Sequence, residues 1–467
     1  MTVSDTLVVA QLVFLAYFIG LNGGYLTLNL LALASLRQSL RYRANGEEGV
    51  PYLGVEPGTS LLVPAYNEET TIVASVRSML QLEYPDFEII VINDGSGDDT
   101  LNALKGAFDL QPQRDPALRV VPCAPVRGVY RSPHYPELKV VDKANGGKAD
   151  ALNAGLNYAS RPLFCAVDAD SILQRDSLLR VVQPFMDDER TIAAGGTVRV
   201  ANGSDVQGGF LVSSGLPKSL LARLQIVEYL RAFLFGRLGW SPLNALLIIS
   251  GAFGLFDRDR VIAAGGYRTD CVGEDMELVV RLHQYHRERR IPYRIRYVPD
   301  PICWTEVPED VGTLHRQRTR WQRGLAESLT TNWRLPASRR GGAPGHVAWP
   351  FMAVFEWLGP LIELAGYLFM ALGFALGVVS GAALLAFLLV AVGFGMVLSV
   401  SALLLEALSF RVYTRRSDML RLFLAALVEN LGYRQLNTLW RCQGLWQWLR
   451  GKRHEWGTMR RVGTWSS

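Results

Sequence analysis

The chain has 467 residues, is 49% hydrophobic and 19% charged, and carries five scattered cysteines with no CxxC pair. This excludes a disordered chain, a cystine-rich secreted scaffold and a cysteine-based zinc site. The formal net charge of +5 is uneven, because Arg411 to Ser467 holds eleven Lys and Arg against three acids and leaves the remainder at −3. Such a basic tail suits nucleic acid or a membrane surface, and the segments before it favour the membrane.

Thr6 to Leu36 is 31 residues long and has no Asp, Glu, Lys or Arg, whereas a bilayer crossing needs about 20 apolar residues. The run is too long for the core of a signal peptide, lacks a basic start and has no small-residue cleavage site. Residues 1–36 are therefore predicted to be a transmembrane helix, and 37–56 a cytoplasmic linker.

From residue 57 to 335 strand-length apolar runs alternate with helical patterns, the signature of an α/β sheet. Strands are predicted at Ser60–Pro64, Phe87–Asn93, Val140–Asp142 and Leu163–Val167, with helices at Glu68–Leu80, Thr100–Phe108 and Gly147–Tyr158. Ligands of such sheets sit beyond the carboxyl ends of the strands. The polar clusters fall there: Tyr66-Asn67-Glu68, Asp94-Gly95-Ser96 and Asp168-Ala169-Asp170.

Asp168 and Asp170, one small residue apart after an apolar strand, can approach a single hard cation such as Mg²⁺ or Mn²⁺. Asn145-Gly146-Gly147-Lys148 opens a helix, where backbone N–H groups, the helix dipole and the lysine favour an anion. It is not a nucleotide-hydrolysing P-loop, because Asp142 and Ala149 stand where that motif needs Gly and Ser or Thr. Gly273-Glu274-Asp275 begins the helical pattern Met276–Tyr285. A carboxylate there is a helix cap, or a base if it faces a bound electrophile. His283 and His286, among Arg281, Arg287, Arg289 and Arg290, read as a solvated face.

Pro217–Trp240 is helical in pattern, with Leu220, Leu224, Val227 and Leu230 on one face, and suits either a core helix or one lying under a membrane. Gln317-Arg318-Thr319-Arg320-Trp321 joins arginines, which pair with phosphate oxygens, to a tryptophan that offers a flat face to a sugar or a cation; the same pattern suits a basic interfacial helix just before the membrane, and spacing does not decide between them. Leu364 to Leu405 is uncharged over 42 residues and is broken by Ser380-Gly381, which predicts transmembrane helices over 347–378 and 382–410. Basic flanks at Arg37, Arg41, Arg43, Arg339, Arg340, Arg411, Arg415 and Arg416 place residues 37–346 and the C-terminus in the cytoplasm. Glu356, Glu363 and Glu406 are charges at membrane depth, expected to face a bundle interior or a polar path. The remainder, 411–467, is predicted to be a basic interfacial segment. Met419–Trp440 is interfacial or re-entrant there, and Trp446, Trp448 and Trp456 lie at headgroup level beside Arg450, Lys452 and Arg453.

In order, V-P-A-Y-N-E-E (Val63–Glu69), I-N-D-G-S (Ile92–Ser96), N-G-G-K (Asn145–Lys148), D-A-D (Asp168–Asp170), G-E-D (Gly273–Asp275) and Q-R-T-R-W (Gln317–Trp321) make the chain resemble the family 2 membrane glycosyltransferases. That group includes cellulose, hyaluronan and poly-N-acetylglucosamine synthases. The resemblance implies a GT-A-like α/β nucleotide-sugar-binding domain inserted between transmembrane helices. It implies a UDP-sugar donor, a glycan acceptor, an Mg²⁺ or Mn²⁺ cofactor, the lipid bilayer as surroundings, and a second copy or small membrane partner, with no role for nucleic acid. Nucleotide-sugar contacts fall to Tyr66, Glu68, Asp94, Lys148, Asp168, Gln317, Arg320 and Trp321. Metal ligation falls to Asp168 and Asp170, and base catalysis to Asp275 with Glu274 beside it. Gly273 departs from the commoner threonine of this motif, and there is one N-terminal span where several relatives have two. The implied enzyme is a bacterial inner-membrane synthase that is processive and coupled to export. The rivals are a transferase adding one sugar to a lipid carrier and a receptor that binds a nucleotide sugar or cyclic dinucleotide without turnover.

Overall fold

Four apolar runs become neighbouring parallel strands, and their alignment creates the edge on which the polar clusters gather. The computed structural model describes residues 3–44, 54–118, 120–207 and 210–451. In chain order its strands are β1 (Thr59–Ala65), β2 (Phe87–Asp94), β3 (Gln111–Pro112), β4 (Val126–Arg131), β5 (Leu138–Lys143), β6 (Leu163–Val167), β7 (Ile172–Leu173), β8 (Thr191–Val200), β9 (Asp205–Gln207), β10 (Phe210–Ser213), β11 (Phe253–Asp257) and β12 (Arg294–Thr305). Ten form one sheet in the order β3-β4-β5-β2-β1-β6-β11-β8-β12-β7, and β9 and β10 pair as a separate hairpin.

β5, β2, β1 and β6 run parallel, with Val63 opposite Val91 and Val91 opposite Val140. Parallel strands need cover on both faces, which is why these segments read as unbroken apolar runs. Leu62, Ile90, Ile92 and Val141 pack with Leu152 and Leu156 of the helix Lys148–Tyr158. Their alternates Leu61, Val63, Ile89 and Val91 pack with Ile72 and Val76 on the other side. β11 lies antiparallel to β6, setting the start of β11 beside Val167.

His283 and His286 correct the sequence reading. Both are fully buried in the helix Glu274–Arg289. They extend the inward face of Met276, Val279, Val280 and Leu282, while Arg289 and Arg290 are exposed and Arg281 is held by Glu277 (2.9 Å). His283 Nε2 donates to the Leu246 carbonyl (2.8 Å), and its Nδ1 lies 2.7 Å from the Tyr293 hydroxyl.

Among the described residues, two helices are long and apolar enough to cross a membrane, Asp5–Arg37 and Gly381–Ser409. The first belongs to a helix that continues to Ala44, past the expected start of the linker; 45–53 of that linker lie outside the described residues. Across the transmembrane helix expected over 347–378, Pro344–Trp357 and Gly359–Ala375 meet at a 46° bend. The helix Arg416–Val428 is followed by a break at Leu431-Gly432, and the chain returns as the helix Arg434–Leu449 against the helix Val311–Thr331. Trp446 is 54% exposed with Arg450 over its ring at 4.3 Å, and Lys452, Arg453 and Trp456 fall outside the described residues.

The helical pattern at 217–240 becomes a continuous run from Leu220 to Trp240 with a widened turn at Tyr229–Phe235. Leu224, Val227 and Leu230 are buried, whereas Leu220, expected on the same face, is 50% exposed. The glutamates of the membrane helices all find partners. Glu356 pairs with Arg441 (2.8 Å), Glu406 with Arg199 of β8 (2.6 Å), and Glu363 accepts from Thr438 (3.1 Å). Charges removed from water are tolerable only with such partners.

Candidate active site

The carboxyl ends of β1, β2, β5 and β6 open into a cavity of about 1490 Å³. Tyr66, Glu68, Asp94, Lys148, Asp168, Asp170, Glu274, Asp275, Gln317, Arg320 and Trp321 all line it, although they come from six separate stretches of sequence. The turns after β1 and β2 are laced together. Asn67 N–H donates to Ser96 Oγ (3.0 Å), Glu68 N–H donates to Thr100 Oγ1 (2.9 Å), and the Glu68 carboxylate accepts from the Thr71 hydroxyl (2.9 Å). Tyr66 projects from this turn and is 39% exposed.

Asp94 is buried, and its carboxylate organises the loop that follows β5. It accepts from the backbone N–H of Gly146 (3.1 Å) and Gly147 (2.7 Å) and from the ammonium of Lys143. Lys143, itself fully buried, also pairs with Asp150 (2.6 Å). Gly147 holds φ +89°, a conformation that disfavours any side chain, and caps the helix that Lys148 starts.

Lys148 stands at the centre. Its Nζ lies 2.5 Å from Asp168 and 3.4 Å from Glu274, and it donates to the Gly251 carbonyl (3.2 Å). Burial opposes the ammonium charge, but Asp168, Glu274 and Asp275 outweigh it and hold the lysine above its ordinary pKa. Burial pushes the Glu274 carboxyl up; Lys148 opposes that rise and Asp275 adds to it. Asp275 Oδ2 accepts the Gly251 N–H at 3.0 Å. Gly251 thus touches both partners, and a Cβ there would lie 2.9 Å from Lys148 Nζ and 3.4 Å from Asp275 Oδ2.

The helix Val311–Thr331 forms the opposite wall. Gln317 is 9% exposed, and its Oε1 has no hydrogen-bond partner among the described residues. Arg318 lines the cavity too, bonded to Glu228 (2.8 Å) with its guanidinium 4.3 Å over the Trp321 ring. Trp321 leans on Phe233 with ring centroids 5.8 Å apart. Past Gln322, which donates to the Glu356 and Trp357 carbonyls (3.0 and 2.9 Å), the cavity continues to Tyr25, Glu363 and Arg441 among the membrane helices.

A divalent cation fits this donor set in one way. Among the described residues no group of three or more His, Cys, Asp or Glu is arranged to enclose a metal. Asp168 and Asp170 offer hard carboxylate oxygens at the cavity edge, and the Asp168 side chain is 32% exposed. A Mg²⁺-type ion held by one or two carboxylates completes its shell with water and ligand phosphate oxygens.

A profile of "Glycosyl transferase family 2" matches residues 60–223, and one of "Glycosyl transferase family group 2" matches 163–398, half of the chain. The chain belongs to glycosyl transferase family 2. The family's GT-A-like mixed α/β fold is also that of a solved mannosyltransferase from Pyrobaculum calidifontis in complex with GDP-Man and Mn²⁺. The likeness has a TM-score of 0.53 at 20% identity, over 90% of this chain and 99% of that one. Among curated family members, a poly-beta-1,6-N-acetyl-D-glucosamine synthase of Staphylococcus epidermidis is 32% identical over 273 residues, 58% of this chain and 55% of that protein. One of Staphylococcus aureus (strain COL) is 31% identical over 295 residues, 62% and 60% of the two chains. This family member thus spans somewhat over half the length of these relatives.

Gly251, Lys143 and Glu228 were not singled out in the sequence. Ser250-Gly251-Ala252 before the apolar β11 was the available signal for the first, since small residues ahead of a strand mark a close approach. Nothing local distinguishes Lys143 or Glu228, whose partners Asp94 and Arg318 are distant in sequence.

Proposed function

We propose that this chain is a multi-pass inverting glycosyltransferase of the bacterial inner membrane that moves sugar from a UDP-sugar to a growing β-linked glycan, processively and coupled to export. The observation that carries it is the gathering of Lys148, Asp168, Asp170 and Asp275 with Gln317 and Trp321 around one cavity that continues among the membrane helices. The names of the staphylococcal relatives support N-acetylglucosamine as the sugar and β-1,6 as the linkage.

Asp275 takes the proton of the acceptor hydroxyl, whose oxygen attacks the anomeric carbon on the face opposite the diphosphate. The bond from that carbon to the diphosphate oxygen breaks, and the diphosphate leaves with the bonding pair. An α-linked donor therefore gives a β-linked product. Lys148 and the helix N-terminus behind Gly146-Gly147 stabilise the charge developing on the diphosphate. Asp168 and Asp170 would hold a Mg²⁺ or Mn²⁺ ion, which would supply Lewis-acid neutralisation at the same group. Glu274 holds Lys148 from the second side, and Tyr66, Glu68 and Asp94 flank the nucleoside. Gln317, whose free Oε1 suits a hydroxyl, acts with Arg320 and Trp321 on the nucleotide and the acceptor end. The basic flanks support a cytoplasmic catalytic domain, and a second copy or small membrane partner would widen the exit path.

The test is purified full-length protein in detergent, given radiolabelled UDP-sugars with Mg²⁺ or Mn²⁺. Polymer from UDP-N-acetylglucosamine is expected, lost in chelator and in Asp170→Asn, and reduced about 10²- to 10⁴-fold in Asp275→Asn. Donor binding with no turnover would point instead to a receptor. A product one sugar long would point to a lipid-carrier transferase.

A further inference from the structure

A second cavity, of about 700 Å³, shares no lining residue with the first. It lies at the other end of β8 and β12, between the end of the helix Glu274–Arg289 and the segment 339–346 that leads into the bent membrane helix pair. Six arginines line it, Arg190, Arg287, Arg290, Arg294, Arg339 and Arg340, and no Asp or Glu does. Arg190 is paired with Asp188 at 2.8 Å. The other five make no ion pair among the described residues; Arg287 donates to the Tyr293 hydroxyl (3.3 Å) and Arg340 to the Glu288 carbonyl (3.2 Å). Gathering five such guanidiniums around one hollow is repulsive unless an anion joins them. A second, independent feature is His286. It is fully buried, lines the cavity, and has its Nδ1 engaged by the Leu282 carbonyl (2.8 Å), while its Nε2 has no partner among the described residues.

We propose that this arginine-lined cavity binds a phosphate-bearing anion with at least two negative charges. Planar guanidiniums pair with phosphate oxygens two at a time, which a lysine cluster does not do, and the volume falls in the range of small-molecule sites. The phosphate belongs either to a soluble phosphorylated compound or to the headgroup of an anionic phospholipid reached from the adjacent membrane helix. His286 Nε2 completes the site by sharing a proton with a phosphate oxygen. The site also has a line to the first cavity. Arg339 and Arg340 precede the helical segment Pro344–Trp357, whose Phe351, Met352 and Glu356 line that cavity. Clamping the arginines on a phosphate fixes the start of that segment.

The experiment measures binding, so it stands apart from the transferase reading. Full-length protein in phosphatidylcholine nanodiscs is titrated with inorganic pyrophosphate in chelator, comparing wild type, R290Q/R294Q/R339Q, and the charge-matched R77Q/R114Q/R127Q on exposed positions elsewhere. In parallel, phosphatidic acid retained from mixed nanodiscs is counted by native mass spectrometry. The first triple variant is expected to bind pyrophosphate at least about tenfold more weakly than wild type and the second triple variant. If its retained phosphatidic acid also falls, the source is the headgroup; if that count is unchanged, the source is soluble. Equal pyrophosphate affinity and equal lipid retention in all three proteins, or equal losses in both variants, would overturn the proposal.

Discussion

Gly273 and Gly324 stand back to back. A Cβ built on Gly273 would lie 3.0 Å from the Gly324 Cα, and one on Gly324 would lie 2.9 Å from the Gly273 Cα. The start of the helix that carries Glu274 and Asp275 is thereby pressed directly onto the helix that carries Gln317 and Trp321. This accounts for the glycine at 273, since a threonine there would push against the backbone of Gly324. Two cavity walls far apart in sequence owe their separation to the absence of two methyl groups.

Gly324→Ala tests this contact. The new methyl forces the walls apart at a cost of about 1 to 3 kcal/mol, of which about 1 kcal/mol is offset by the better helix propensity of alanine. Misplacing a reacting group by an ångström costs about a hundredfold in rate. Turnover is therefore expected to fall far more than thermal stability. Assays and melting curves on the same preparation decide it, and a variant with wild-type turnover would show that the close approach is only packing.

Asp94→Asn separates two roles for that residue. Its carboxylate already accepts from Lys143, Gly146 and Gly147, so removing the charge loosens the loop that starts the Lys148 helix. Charged hydrogen bonds buried in this way are worth about 1 to 3 kcal/mol. The variant is expected to lose stability by that order even without donor, and to bind UDP more weakly. Unchanged melting with weakened UDP binding would mean that Asp94 serves the nucleotide alone.

The residues legible in the sequence were those whose chemistry is local. Strands β1, β2, β5 and β6 announced themselves as apolar runs ending in polar clusters, and parallel pairing puts such ends on one edge. β8, β11 and β12 were missed, because their places between distant neighbours depend on antiparallel and crossover pairings that no window of sequence contains. His283 and His286 misled for the same reason. Arginines surround them along the chain, but the helix turns the histidines inward and leaves Arg289 and Arg290 exposed. The bend between Trp357 and Gly359 was hidden because apolar composition continues through it.

Arg199 and Glu406 join the sheet to a membrane helix through a bond of 2.6 Å between side chains that are 4% and 0% exposed. Glu406→Ala leaves the arginine charge buried and unmatched, and breaking such pairs costs about 3 to 5 kcal/mol. Replacing both with methionine removes both charges and is expected to restore most of that loss. Thermal denaturation of the two variants in detergent makes the comparison. A double variant no more stable than Glu406→Ala would place the loss in packing around Phe410, over which Arg199 also lies at 5.5 Å.

His283 predicts how the α/β domain responds to acid. Burial pulls its pKa from the usual 6.5 down to about 3, and His286 is lowered for the same reason. The folded chain therefore leaves His283 unprotonated where the unfolded chain takes up a proton. Its contribution to stability is complete above about pH 6.5 and is lost as pH falls toward about 3, by up to about 1.4 kcal/mol per pH unit. His283→Gln keeps a donor for the Leu246 carbonyl and removes the titration. Its melting temperature is expected to be lower than wild type at neutral pH but to decline less steeply on acidification. Parallel slopes for the two proteins between neutral pH and pH 4 would show that His283 does not sense the acid.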